Sequence, residues 1–274
     1  MNNAKLLVPF ALLAAAALAQ QQFDSPEAAA QALISAAAAS DTPALSTIFG
    51  SQAKTMLNSG NPDQDAADRQ EFATLAQDQH KLEPDSMNPN RVILSVGKQD
   101  WPFPVPIVKR DGKWSFDSAM GVQAMKARRI GADETDAIEI CNGFVTAQEQ
   151  YAEQHPEHDY AADIAQLAKL VPARMIAAAS AQNPAPYHGY YFRELSSQGP
   201  AAPGGQQNYR MQGKMVAGFA MVAWPAVYGV TGIETFIVNQ DGFIYDRDFG
   251  GRTDNNTQPP VNVYNPDSSW VPVE

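Results

Sequence analysis

His188 has the side chain and the surroundings that acid–base chemistry requires. It lies in the segment YHGYYF, among aromatic residues and directly before a glycine. Imidazole titrates near neutral pH, so a histidine in such surroundings is a candidate general base. The alternative is a histidine that only forms a hydrogen bond where a strand begins. Because the sequence contains no GxSxG pentapeptide, the strained turn of a serine hydrolase is not indicated.

A second candidate is the cluster HPEHDY, in which His155 and His158 are three residues apart and Asp159 follows. Two imidazoles at this spacing bind a metal ion when one helical turn points both of them in the same direction. Pro156 interrupts such a turn, and no fourth ligand is evident in the sequence. A solvent-exposed loop is the alternative interpretation of this cluster.

Aspartates near the end of the chain could donate oxygen ligands to calcium, namely Asp246, Asp248 and Asp254. The glycine and the terminal glutamate of an EF-hand loop are absent from this segment. Alternate aspartates on a strand are also typical of a face that is exposed to solvent. We therefore predict no metal and no cofactor, and we keep these aspartates and the two histidines only as candidate ligands.

The single cysteine, Cys141, falls on the apolar stripe of a predicted helix. No basic residue stands near it in the sequence, so a buried, unreactive thiol is favoured over a nucleophile or a redox sensor. One cysteine cannot form an intrachain disulfide, and the fold must be stabilised by burial of apolar side chains. The loop GPAAPGG at 199–205 lacks the lysine and the following helix that a P-loop requires.

An aromatic cluster precedes the apolar strands of the second half of the chain and consists of Tyr187, Tyr190, Tyr191 and Phe192. Aromatic side chains are enriched where proteins contact one another. The cluster therefore predicts an interaction surface on which another envelope protein would dock.

An apolar run at 215–224 organises the second half of the chain. A single glycine interrupts it, which is typical of a central strand that is covered on both faces. A strand at 233–238, a turn at 239–242 and a returning strand predict a hairpin. The returning strand alternates between aromatic residues and a mostly acidic set that includes Asp246 and Asp248, and we expect the acidic face to meet water.

The elements before this sheet are mainly helical. Residues 119–154 carry one apolar stripe at helical spacing, which predicts a long helix packed on the sheet. Gly131 predicts a bend or a break in that helix. Further helices are predicted at 160–170 and 171–181, and a strand is predicted at 189–195.

The first half of the chain is predicted to contain helices followed by antiparallel strands. Ser25 and Asp41 each precede a proline within two residues, which is a helix start, and a third helix holds Phe72. Strands are predicted at 91–96, 105–110 and 113–117. This order resembles the nuclear-transport-factor-2-like (NTF2-like) and cystatin-like domains, many of which hold a small ligand in a cone. Trp101, Phe103 and Trp114 would either line such a pocket or fill the core.

The sequence is thus predicted to be an α+β protein of four segments. They are a leader at 1–19, an NTF2-like or cystatin-like domain at 23–118, a long helix with an antiparallel sheet at 119–253, and a C-terminal tail at 254–274. The tail is rich in proline, and we expect it to be extended over the surface or mobile.

The N-terminus predicts export. Lys5, the apolar block at 6–18 and a small-x-small site ending at Ala19 are typical of a secretory signal peptide, which is too short to span a membrane. An uncut signal anchor is the alternative. The net charge of −11 and the pI near 4.8 disfavour nucleic acid and anionic membranes as partners, because both would repel the chain.

Several phrases of the second half resemble one bacterial family, the domain of unknown function 2950. They are RRIGADETDAIEICNGFVTAQEQYA, GYYFREL, QGPAAPGG, GFAMVAWPAVYGVTGIETFIVNQDG and IYDRDFG. The resemblance spans most of the chain and implies no established activity. The long helix with a late hairpin closed by an Asp-Gly turn is also similar, more distantly, to the globular part of type IV pilins and pseudopilins.

These observations predict an exported periplasmic or extracellular protein that acts without catalysis, as a binding or assembly module of the cell envelope. The alternative is a hydrolase or a small-ligand-binding protein with its site in the N-terminal cone or in a cleft, and His188 is its candidate catalytic residue. The sequence indicates neither a specific partner nor an oligomeric state.

Overall fold

A computed structural model describes residues 20–58, 62–157, 159–251 and 256–273. The leader predicted at 1–19 and the candidate ligands His158 and Asp254 lie outside these described residues. The chain divides into two compact units, Met1–Met125 and Lys126–Glu274. Both contain helices and antiparallel sheets, which confirms the α+β class. The segment boundaries expected at 118/119 and 253/254 stay predictions.

The described part of the first unit begins with helices whose starts are set by capping residues. Ser25 Oγ accepts a hydrogen bond from the Ala28 N–H at 3.1 Å, and Asp41 Oδ1 accepts one from the Ala44 N–H at 3.0 Å. A proline follows each cap in the first turn, where its missing N–H costs nothing. The helices are α1 (Pro26–Ala38), α2 (Thr42–Phe49), α3 (Ala53–Leu57) and α4 (Pro62–Asp78).

The sheet of the first unit is antiparallel, in the order β1-β2-β4-β5 with β3 paired to β2. Its strands are β1 (His80–Asp85), β2 (Asn88–Val96), β3 (Trp101–Pro102), β4 (Ile107–Arg110) and β5 (Lys113–Phe116). The three predicted strands are found, whereas β1 was missed because its sequence HKLEPD alternates weakly and contains a proline. An edge strand tolerates proline, since its outer N–H groups have no ladder partner.

The core of the first unit lies between α1, α2 and the inner face of this sheet. Leu94, Ile107 and Phe116 of the sheet have no exposed surface, and Leu33 and Ile48 of the helices are 2% and 1% exposed. Burial of these apolar side chains is the main stabilising contribution here.

Helix α5 (Ser118–Gln154) is the long helix that the sequence predicts. It is continuous across Gly131, so the predicted break is wrong. A glycine inside a helix costs about 1 kcal/mol relative to alanine. It still has the backbone N–H that the helical hydrogen bond needs, so this cost alone does not end the helix. The apolar stripe is confirmed, because Ala137, Cys141 and Phe144 are fully buried in the core of the second unit.

The main sheet of the second unit is antiparallel, in the order β14-β13-β12-β11-β6. The central strand β11 is buried at every position, as predicted, but it begins at Ala220 rather than at Met215. Gly218 has φ of +132°, which turns the chain out of the strand before that point. The strands are β6 (Tyr190–Leu195), β7 (Ser197–Gln198), β8 (Gln207–Asn208), β9 (Arg210–Met211), β10 (Lys214–Met215), β11 (Ala220–Pro225), β12 (Glu234–Asn239), β13 (Ile244–Asp248) and β14 (Val271–Pro272).

The hairpin of β12 and β13 has the predicted turn. The Gly242 N–H donates to the Asn239 carbonyl at 3.0 Å, and Gly242 has φ of +75°, which glycine adopts without strain. The described part of the tail packs on this sheet, because β14 pairs with β13 and Tyr264 is fully buried.

The segment between α5 and β6 is less helical than predicted. At 160–170 the chain forms only a 3-10 turn, Ile164–Leu167, which Asp163 caps together with Gln166. At 171–181 the helix α6 (Ala173–Ala178) is shorter than expected. Among the described residues, no helix combines the length and the apolar character that crossing a membrane requires.

Candidate functional site

A two-residue turn places His188 at the edge of the second unit. Tyr187 and Tyr190 exchange backbone hydrogen bonds of 2.9 and 3.1 Å, and the residues between them, His188 and Gly189, have φ of +47° and +73°. Positive φ at both central residues is typical of the type I′ hairpin turn. Gly189 is required here for a second reason, because a Cβ would lie 2.6 Å from Asp133 Oδ2.

The turn brings His188 onto helix α5. Its Nδ1 lies 2.6 Å from Asp136 Oδ2. When the imidazole is neutral, Nδ1–H donates to this carboxylate and Nε2 is left as a hydrogen-bond acceptor. Both side chains keep solvent access, 43% for His188 and 39% for Asp136. The sequence identified His188 but not its partner, because the two residues are separated by 52 positions.

His188 and Asp136 line a cavity of about 280 Å³ together with Glu139 and Tyr187. The apolar part of its wall is formed by Ile140, Leu170, Val171, Pro172 and Met175. We call this cavity the His188 cleft. No serine, threonine or cysteine is among the described residues that line it. The His–Asp pair could therefore accept a proton or a hydrogen bond, but the described lining supplies no serine, threonine or cysteine beside it.

Only part of the predicted aromatic interaction surface is accessible to solvent. Tyr190 and Phe192 are fully buried, so their part of the prediction is wrong, and Tyr187 and Tyr191 are half-buried. Residues two apart on a strand share a face, and Tyr190 and Phe192 share the face that packs in the core of the unit. The Tyr190 hydroxyl donates to the Glu234 carbonyl at 2.9 Å, and burial raises the pKa of Tyr190 far above its ordinary value.

The aspartates of β13 lie in a group of carboxylates, and of the two only Asp248 is exposed, as the sequence predicts. Asp246 is half-buried, which corrects the expectation from the sequence. Burial, with the Asp246 and Asp248 carboxylates adding to it, raises the pKa of Glu234 to about 7. Burial also raises the pKa of Asp246, and the Glu134 carboxylate adds to that shift. Glu134 has a structural role, because its Oε1 accepts hydrogen bonds from the Ile233 and Glu234 N–H groups at 2.8 and 3.1 Å.

The other candidate metal ligand within the described residues is His155, which directly follows helix α5. Its Nδ1 lies 2.6 Å from the Tyr151 carbonyl, and its ring stacks on the Tyr151 ring at 3.8 Å. Across the described ranges, no group of three or more His, Cys, Asp or Glu residues is arranged to hold a metal ion.

The first unit contains a second cavity, of about 230 Å³, which we call the N-terminal cavity. Trp101 and Phe103 line it, as one of the two interpretations of the sequence requires, and Phe103 packs against Phe72 at 5.0 Å between ring centroids. Trp114 does not line it and instead pairs with Phe23 through backbone hydrogen bonds of 2.7 and 2.9 Å. The further apolar lining is Leu33, Ala37, Leu45, Phe49, Met56, Leu57, Pro104 and Met125.

The charged residues of the N-terminal cavity all come from helix α4 and are Asp65, Asp68 and Arg69. Arg69 is partly buried, and its Nε is shielded from solvent without a hydrogen-bond partner in the described part of the chain. Nothing in the sequence marks helix α4 as part of a pocket, because its apolar residues are few and its mean hydropathy is polar.

Comparison with protein families identifies the chain. Residues 20–174 and 166–273 match the family model described as Protein of unknown function (DUF2950). Comparison with curated proteins and with solved structures gave no match. The similarity to pilins is not shown and stays a prediction, whereas the resemblance of the sequence phrases is confirmed. The chain belongs to the DUF2950 family.

Proposed function

We propose that this protein is an exported, non-catalytic binding protein of the cell envelope, and that its N-terminal cavity binds a small, mainly apolar molecule. The observation that carries the proposal is the cavity itself, about 230 Å³ in volume with an aromatic and aliphatic lining. Small-molecule sites are typically concave and apolar, with a few polar groups that orient the ligand.

The size of the N-terminal cavity limits the ligand. Sites for drug-sized molecules occupy about 300 to 1,000 Å³, whereas an apolar cavity of about 150 Å³ is large enough for benzene. A volume of about 230 Å³ therefore suits one or two fused rings, or an aliphatic chain of similar bulk. Phe72, Trp101 and Phe103 offer ring faces and edges to such a ligand.

The composition of the lining favours binding over turnover. It contains no histidine, cysteine, serine or threonine among the described residues, so a bound molecule would meet neither a hydroxyl or thiol nucleophile nor an imidazole base. Export is supported by the leader pattern at 1–19, and N-terminal sequencing of secreted material tests it. Docking of another envelope protein on Tyr187 and Tyr191 is a separate hypothesis, which a pull-down from an envelope extract tests.

Ligand titration of the chain from residue 20 onward tests the binding proposal, with indole and toluene as probes. We expect saturable binding by calorimetry and a rise in melting temperature, because a ligand that binds only the folded state stabilises it. Ala37 lines the cavity and is 2% exposed, so Ala37→Leu should fill part of the volume and weaken binding by about tenfold or more.

Ala28→Leu is the matched control, since Ala28 is an exposed residue on the same helix α1. It should leave the affinity for both probes unchanged. Equal binding by the two variants, or no saturable binding of either probe to the unmodified chain, would contradict a ligand site in the N-terminal cavity.

A further inference from the structure

The His188 cleft has a one-sided charge. Its charged lining residues are Asp136 and Glu139, and neither lysine nor arginine is among the described residues that line it. Among the ion pairs of the described residues, one joins Asp136 to His188, and none joins Glu139 to a basic side chain. While His188 is neutral, a cationic group entering the cleft would therefore meet two carboxylates without competition from a lysine or an arginine.

The carboxylates and the imidazole of the cleft can recognise a ligand through hydrogen bonds as well as through charge. Asp136 and Glu139 are three residues apart on helix α5, a spacing that puts side chains on the same face of a helix. The contact between Nδ1 of His188 and Asp136 at 2.6 Å leaves Nε2 as a further acceptor when the imidazole is neutral. An ammonium group carries three N–H donors and no acceptor, which matches this set.

The rest of the cleft suits an apolar body. Five aliphatic, proline or methionine residues line the same cleft as the carboxylates, and the volume is about 280 Å³. A hydrated metal ion or a purely polar cation would leave this wall unused. An amine attached to a ring or to a short hydrocarbon would bury apolar surface there, which favours binding.

The turn that carries His188 into the cleft is fixed by its backbone. The φ of +47° at His188 belongs to a left-handed turn closed by two backbone hydrogen bonds. The following Gly189 is packed against Asp133 and Thr231 so closely that no side chain fits. A non-glycine residue held at positive φ is uncommon, and such positions concentrate at functional sites.

We propose that the His188 cleft binds a small primary amine carried on an apolar body. Asp136 and Glu139 hold the ammonium group, Nε2 of His188 accepts one of its N–H groups, and the aliphatic wall contacts the body. This site lies in the second unit and does not rest on the N-terminal cavity.

Calorimetric titration with 2-phenylethylamine tests the proposal, with 2-phenylethanol as its neutral isostere. The amine is protonated at neutral pH, as lysine is. We expect saturable binding of the amine that is at least about tenfold tighter than binding of the alcohol, because charge-assisted hydrogen bonds are about twice as strong as neutral ones. Ala37→Leu should leave amine binding unchanged, which separates this test from that of the N-terminal cavity.

Two variants test how much the carboxylates contribute to the affinity for the amine. Glu139→Gln removes one charge and leaves the His188–Asp136 pair intact, and Asp136→Asn with Glu139→Gln removes both charges. The double variant should lose about tenfold or more in affinity for the amine and little for the alcohol. Glu153→Gln is the control, since Glu153 is exposed on the same helix and does not line the cleft.

Three results would overturn the proposal. They are no saturable binding of the amine, equal affinity for amine and alcohol, or equal affinity of the double variant and the control variant. Melting temperatures of the free variants, measured alongside, show that each is folded, so a loss of affinity reports on the cleft.

Discussion

Glu194 is a buried acid whose ionisation should make the fold less stable as the pH rises. It lies on β6 opposite Met221 of β11. Its carboxyl receives a hydrogen bond from the Ile164 N–H, but Oε1 is shielded from solvent and has no hydrogen-bond partner among the described residues. Burial, with the Asp163 carboxylate adding to it, raises the pKa of Glu194 from 4.5 to about 7.

The size of the effect follows from the two pKa values of Glu194. Their difference, 7 minus 4.5, is about 2.5 and corresponds to about 3.4 kcal/mol at about 1.36 kcal/mol for each pKa unit. Because the residue keeps partial exposure, we take about half of this value, about 1.7 kcal/mol. The native state holds the proton more tightly than the unfolded chain does. The contribution of Glu194 to stability is therefore largest below pH 4.5 and is lost as the pH rises through about 7.

Glu194→Gln should remove this dependence. Near pH 4 the variant and the unmodified chain should have similar free energies of unfolding, since glutamine resembles the protonated acid. Near pH 8 the variant should be more stable by about 1 to 2 kcal/mol. Urea denaturation at several pH values measures the difference, and Glu149→Gln, an exposed acid on α5, is the control. A difference that does not change with pH, or a variant that is less stable near pH 8, would refute the reasoning.

Two further predictions concern the same unit. Gly189→Ala should destabilise it by about 2 kcal/mol or more, since the new Cβ would be strained and in collision with Asp133 Oδ2. Gly242 has a similar φ but open space around it, so Gly242→Ala should lower the free energy of unfolding by only about 1 kcal/mol. Thermal unfolding measures both variants, and equal losses would show that the collision with Asp133 does not matter. Burial raises the pKa of the Cys141 thiol to about 12, so iodoacetamide at about pH 8 should label it only after denaturant is added. Complete labelling of the native protein would contradict this prediction.

The features that the sequence predicts well are those with a local cause. The caps at Ser25 and Asp41, the turn at Asn239–Gly242 and the buried strand β11 each depend on residues that are adjacent in the sequence. The strand β1 was missed because it is an edge strand, where the apolar pattern is weak. The helix predicted at 160–170 failed because the Asp163 cap supports only one short turn.

The candidate sites depend on contacts that no local pattern records. Pairing of His188 with Asp136 joins residues 52 positions apart, and nothing in the sequence distinguishes Asp136 from the other acids of the long helix. Burial of Tyr190 and Phe192 depends on which face of β6 meets the core. Alternation gives two faces to each strand, but it does not say which one is covered when both carry aromatic residues.

A His–Asp pair alone does not distinguish catalysis from binding, and the surroundings of His188 decide between them. Hydrolysis by a histidine base needs a nucleophile within reach and donors that stabilise the developing oxyanion. The described lining of the His188 cleft offers no serine, threonine or cysteine, and its charged groups are carboxylates, which would repel an oxyanion. The same carboxylates stabilise a cation. The cleft therefore has the electrostatics of a receptor for an amine, and the contrast between 2-phenylethylamine and 2-phenylethanol measures that property directly.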